Sequence, residues 1–158
     1  MKRDYKQELI TILKKEQWLM KLLKEIRTYN LPDWYVAAGA IRNTVWDKLH
    51  GYKQHTPLND IDVIYYDKKE DERDEKEIQK QLTKKFPHYT FEVINQAYAH
   101  KCNEKRPQAI SSRDAMSYWP ETVTGIGVRL KKDNSLKICA PFGLKDMMTL
   151  QVRYNQKT

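Results

Sequence analysis

The chain has 158 residues, 40% of them hydrophobic and 11% aromatic, so it can bury one sizeable core and is excluded from the disordered class despite a charged fraction of 32%. No apolar stretch approaches the ~20 residues that a bilayer crossing needs, and the opening MKRDYKQELI holds no apolar signal core, so a folded cytoplasmic protein without a membrane partner is expected. A net charge of +8 favours approach of nucleotides or RNA without identifying either, while two distant cysteines, Cys102 and Cys139, exclude a disulfide framework or zinc site and read as buried free thiols.

Residues 6–29 place Leu9, Ile10, Leu13, Leu19, Leu22, Leu23 and Ile26 three and four apart, which predicts one long amphipathic helix stopped by Asn30 and Pro32. Trp34 to Ala38 is an apolar run of strand length, broken by Gly39, and a second helix from about 41 to 49 ends at Gly51. After a polar loop at 51–59, DIDVIYY at 60–66 is a strand by its β-branched and aromatic content. The charged run at 67–77 reads as the solvated start of a helix closed by Pro87, followed by a strand at 89–95. Beyond the basic stretch at 101–106, residues 111–119 predict a short helix with Ser112 as its cap, 123–130 and 135–139 a hairpin, and 143–153 a last helix. The sum is one α+β domain over 1–158, a central mixed sheet flanked by helices, with the helix of residues 1–30 packed on it.

Two carboxylates stand out. Asp60 and Asp62 are two apart on a predicted strand, so they share a face with Ile64 and Tyr66, their Cα atoms roughly 6.5–7 Å apart. At about 6 Å and an effective dielectric near 20 such a pair repels by roughly 3 kcal/mol, which a divalent cation relieves. Magnesium suits this arrangement because it binds a few carboxylates together with phosphate oxygens. Upstream, AAGAIRN at 37–43 puts a glycine between strand and helix, where backbone N–H groups and Arg42 are available to a phosphate. Glu92, flanked by Phe91 and Val93, is a third acid whose parity lets it join the aspartates if its strand lies alongside. His100, Asn95 and Gln96 follow closely and are candidates for contact with a base or sugar, and Trp119-Pro120-Glu121 for an acceptor pocket.

Ala38-Gly39-Ala40, Asp60-Ile61-Asp62 and Phe91-Glu92-Val93 resemble, in order, the signature of the DNA polymerase beta type nucleotidyltransferase superfamily. Five blocks, at 39–51, 58–67, 91–100, 119–130 and 140–153, are more closely similar to a bacterial branch of nucleotidyltransferase-like proteins of unknown substrate. The resemblance implies the nucleotidyltransferase fold, and Asp60, Asp62 and Glu92 as catalytic residues and ligands of Mg2+, with Mn2+ a substitute. It further implies that Gly39, Ala40, Arg42 and Asn43 hold the phosphates of a nucleoside triphosphate. The expected reaction moves an NMP group to a hydroxyl on a small molecule, RNA or protein. Departures exist at Ala40, where serine is frequent in the superfamily, at Glu92, where aspartate is frequent, and at Ile94 and Tyr98, where the branch carries basic residues. They motivate a second expectation, an inactive relative that binds nucleotide or RNA.

Overall fold

The β-branched and aromatic segments do form strands, and hydrogen bonding joins them into one sheet. In the computed structural model, which describes residues 2–69 and 72–158, the strands are β1 (Tyr35–Ala37), β2 (Ile61–Tyr65), β3 (Phe91–Asn95), β4 (Gly127–Leu130) and β5 (Leu136–Cys139). Their order is β3-β2-β1-β4-β5, with β2 and β3 parallel and every other neighbouring pair antiparallel. Among the described residues six α-helices complete the α+β fold: α1 (Tyr5–Lys14), α2 (Gln17–Thr28), α3 (Gly39–Leu49), α4 (Glu72–Lys85), α5 (Ser112–Met116) and α6 (Lys145–Met148).

Strand parity divides the hydrophobic residues between two cores of unequal size. Ile61, Val63 and Tyr65 face the larger one, with Leu9 and Leu13 of α1, four residues of α2 and Ile41 and Val45 of α3. Each such side chain contributes roughly 1.5–3 kcal/mol through burial, so this face anchors the fold. The opposite face carries only a small cluster of Tyr35, Ala37, Ile64, Met116, Trp119 and Cys139. Helices therefore cover one face, and the other remains partly open next to the N-terminal ends of β2 and β3.

Local devices fix the ends of these elements. Gly51, at φ 71, closes α3: its N–H bonds the Lys48 carbonyl and that of Tyr52 bonds the Asp47 carbonyl, so the last turn is capped by a left-handed residue that glycine adopts without strain. Edge strand β3 has two of its N–H groups, on Val93 and Asn95, bonded by the side chains of Gln79 and Glu75 from α4. That pairing blunts an edge otherwise open to another strand.

Several expectations change. The single helix at 6–29 is two helices, because Glu16 is extended (φ −84, ψ 96) and restarts the chain as the cap of α2, so that Leu9 and Leu13 enter the core independently of Leu19 to Ile26. The last helix is a single turn rather than residues 143–153: Leu150 turns to φ 57, and the chain returns to pair Tyr154 with Glu121. Ser111, not Ser112, caps α5, its Oγ accepting from the Asp114 N–H, whereas Ser112 is buried and bonded through N–H and Oγ to Asp33. Cys139 is buried, but Cys102 is exposed on a 3-10 turn. The helix begun by the charged run at 67–77 starts at Glu72; residues 70 and 71 lie outside the described residues.

Candidate active site

Asp62 and Glu92 meet because β2 and β3 run parallel in a register that pairs Ile61 with Phe91, Asp62 with Glu92 and Ile64 with Ile94. Directly paired residues on neighbouring strands lie within side-chain reach of one another on one face. Asp60 precedes β2 by one residue and its carboxylate is exposed. On the other side of β2, Ala37 is the partner of Asp62, so β1 delivers Ala38 and the start of α3 to the same end of the sheet.

The electrostatics of the three acids are coupled. The carboxyl of Asp62 is pushed up to about 7, first by burial, then by the charges of Asp60 and Glu92. Such a group is short of counter-charge near neutral pH, the condition in which carboxylates accept either a proton or a cation. Among the described residues no three His, Cys, Asp or Glu side chains are already gathered as a set that could hold a metal ion. Asp60 and Glu92 are exposed, and Glu92 already lies within hydrogen-bonding reach of the Asp62 carboxyl.

The start of α3 is built around Ala38, whose φ of 58 and ψ of −130 are strained for a residue with a Cβ. Its N–H bonds the Ile126 carbonyl, and its own carbonyl accepts from both Ile41 and Arg42. The N–H groups of Gly39 and Ala40 therefore precede the helical ladder, where anions bind. A Cβ at Gly39 would meet only the tip of Arg42, 3.8 Å away, so packing does not demand a glycine here and the space beside the helix end is open. The Ala40 side chain points into the larger core and leaves only its backbone to the site.

Arg42 leans across this end of the sheet. Its Nη1 lies 3.6 Å from Glu121, its Nε donates to the Asn43 Oδ1 and its guanidinium lies 5.5 Å from the Trp46 ring centroid. Asn43 accepts from Arg42 through its Oδ1 and also lines a separate cavity of about 210 Å³ with Trp18, Asp47 and Tyr89. Asn95 is spent on the fold, bonding Asp67 and the Ala97 N–H, and Tyr98 donates to the Lys68 carbonyl. His100 is half-buried, with an Nδ1 that has no partner among the described residues.

A groove of about 350 Å³ runs from Asp62 and Glu92 along the open face, over Ile64 and Ile94 to Gln96, with Ala38, Trp119, Pro120, Thr124 and Arg106 on its walls. Sequence reasoning did not single out Arg106 or Thr124. Arg106 stands in the basic stretch at 101–106, where neighbouring Lys101 and Lys105 give no signal of which cation turns inward.

A mixed five-stranded sheet with a D-x-D strand beside a third acid and a helix opening at a glycine defines a nucleotidyltransferase-type domain. A family model described as nucleotidyltransferase matches residues 24–158, and the chain belongs to that family. The fold is also similar to a solved NMR structure described as revealing a CCA-adding enzyme head domain, with a TM-score of 0.84 and 34% identity over 96% of this chain and 79% of that one. No curated protein matches.

Proposed function

We propose that this domain is a metal-dependent nucleotidyltransferase that moves an NMP group from a nucleoside triphosphate to a hydroxyl acceptor. The observation that carries the proposal is the pairing of Asp62 with Glu92 on parallel strands, beside Asp60 and the open start of α3. Three oxygen-donor carboxylates, one of them short of counter-charge, suit hard divalent cations such as Mg2+, with Mn2+ as a substitute. When bound, such ions neutralise phosphate charge and lower the pKa of a bound hydroxyl.

The chain's own residues supply the rest. Asp60, Asp62 and Glu92 hold the cations, while the N–H groups of Gly39 and Ala40 orient the β- and γ-phosphates at the positive end of α3. Arg42 exchanges its half-exposed pairing with Glu121 for a phosphate; an ion pair of that exposure is worth at most about 1 kcal/mol, so the exchange is inexpensive. Glu92 takes the acceptor proton as the acceptor oxygen bonds the α-phosphorus and the bond to pyrophosphate breaks. Asn43 acts by holding the Arg42 guanidinium through its Oδ1 rather than by touching phosphate.

The direct test is incubation with labelled triphosphates, Mg2+ or Mn2+ and a cell extract, followed by fractionation into small molecules, RNA and protein. Label that moves into one fraction with wild type and not with Asp62→Asn supports the proposal. Tight triphosphate binding without transfer under any of these conditions would favour the inactive binding module.

A further inference from the structure

The cavity of about 210 Å³ beside Asn43 shares no lining residue with the groove at the acids. It lies at the margin of the larger core, enclosed by α2, α3, the loop at 51–59 and the turn that precedes β3. Three residues of α3 line it, Asn43, Thr44 and Asp47, of which Thr44 is 4% and Asp47 6% exposed. The inward face of a helix is normally apolar, as Ile41 and Val45 are here. A buried polar stripe beside them, facing a cavity, is what a ligand site needs and what core packing does not.

Asp47 supplies the charge of this site. Its Oδ2 accepts from the Thr56 N–H at 2.7 Å and its Oδ1 from the Thr56 hydroxyl, so the carboxylate bridges α3 and the 51–59 loop, and both residues line the cavity. A carboxylate oxygen has about two lone-pair sites, and each of these uses one on Thr56. Buried charges are ordinarily paired, yet among the described residues Asp47 makes no ion pair. No Lys or Arg among the described residues lines the cavity either, in a chain with 29 of them against 21 Asp and Glu. The rest of the wall is aromatic and apolar: Trp18 and Tyr89 are stacked, ring centroids 5.3 Å apart at 28°, with Leu58 and Pro57 beside them. At the exposed rim the Nε2 of His55 lies 3.4 Å from the Glu16 carboxylate, a further acid near the mouth.

We infer that this cavity is a second ligand site, which takes a small organic ammonium ion bearing a flat ring, the ammonium on Asp47 and the ring along Trp18 and Tyr89. Two features favour the same ligand: a carboxylate with spare lone pairs bonds an ammonium strongly, and aromatic faces attract both rings and cations. A nucleotide is the wrong occupant, because its phosphates would meet a buried carboxylate with no Lys or Arg to offset it. A divalent metal ion is wrong too, since one carboxylate supplies too few of the oxygen ligands it requires. Drug-sized ligands fill pockets of roughly 300–1,000 Å³, so this smaller cavity admits a single ring with a short arm. The site stands independently of the nucleotidyl transfer proposed above.

Phenethylamine and 2-phenylethanol differ in an ammonium against a hydroxyl, and phenylacetate reverses the charge, so the three probes read this chemistry directly. In NMR titrations of the labelled wild type at neutral pH, phenethylamine should shift the backbone amides of Trp18, Asn43, Thr56 and Tyr89. It should bind about tenfold or more tightly than 2-phenylethanol, as a charge-assisted hydrogen bond requires, with phenylacetate weakest. In Asp47→Asn, which keeps an acceptor for the Thr56 N–H, the ratio should fall to near one through loss of amine binding. Trp18→Leu should weaken phenethylamine and 2-phenylethanol alike. Should thermal unfolding show that Asp47→Asn does not fold, intermolecular NOEs in wild type decide: contacts from the phenethylamine ring to Trp18 and Tyr89 support the site, and their absence overturns it. Equal affinity for amine and alcohol in wild type, a preference that survives Asp47→Asn, or amine-induced shifts centred on Asp62 and Glu92 instead, overturns it as well.

Discussion

Asp62 and Glu92 face each other across a parallel strand pair, and Asp62 carries a carboxyl held near pH 7 by burial and by its two acidic neighbours. An acid of this kind destabilises the fold it belongs to whenever it is ionised, and keeping such a group is characteristic of a site maintained for a ligand.

That cost has a defined pH window. The folded carboxyl holds its proton up to about pH 7, whereas the unfolded one loses it near 3.8, so the folded state is favoured by protonation below the unfolded value and this advantage is lost as pH rises through about 7. Asp62→Asn removes the titration. The variant should therefore gain stability relative to wild type at pH 8 and none at pH 4, as read by denaturant unfolding at the two pH values without added metal.

Metal should reverse the shift. In an NMR titration without metal the Asp62 carboxyl should titrate near 7, and saturating Mg2+ should move it below its ordinary range, because a divalent cation favours the charged form more than two carboxylates oppose it. An Asp62 shift that ignores Mg2+ would count against the acids as cation ligands.

The strained turn gives a separate expectation. Ala38 sits at φ 58 and ψ −130, a conformation open to glycine and costly to alanine by roughly 1–3 kcal/mol. Ala38→Gly should raise stability by about 1 kcal/mol, the relief being partly offset by glycine's greater freedom in the unfolded chain. Chemical denaturation midpoints measure it. If the strained Ala38 carbonyl also aligns the first turn of α3, the same variant should weaken triphosphate binding severalfold.

Close packing on the opposite side of β1 is equally testable. A Cβ at Gly127 would come within 2.8 Å of the Tyr35 Cβ and 3.3 Å of the Met116 Sδ. Backbone must move to admit it, so Gly127→Ala should cost about 1–3 kcal/mol of stability. Gly39→Ala meets only the tip of Arg42 and should leave stability within about 1 kcal/mol of wild type while impairing triphosphate binding.

How much of this was legible in the sequence follows from the range of each interaction. Asp62 shares its face with Ile64 and Glu92 with Ile94, as the sequence predicts, because parity within a strand is a local property. The break at Glu16 was missed because no glycine or proline marks it; its only trace is the apolar gap at 14–17, which sets Leu13 and Leu19 six residues apart. The choice of Ser111 over Ser112 was decided by Asp33, 79 residues away from Ser112, and the early end of α6 by the return of Tyr154 to Glu121. Arg106 and Thr124 entered the groove through contacts that only the assembled sheet creates.

The measurement that bears most directly on the central claim is a rate comparison of wild type, Asp62→Asn and Arg42→Ala in a labelled-triphosphate transfer assay with Mg2+, alongside triphosphate binding by each. Asp62→Asn removes one ligand charge while keeping the side chain's size. Metal charge stabilisation is worth several kcal/mol and each ~1.36 kcal/mol is tenfold, so its rate should fall by about two to four orders of magnitude with metal-free triphosphate binding retained. Arg42→Ala should weaken binding with a smaller loss of rate at saturation. Transfer that proceeds undiminished in Asp62→Asn would contradict the account and leave a domain whose acids serve no catalytic cation.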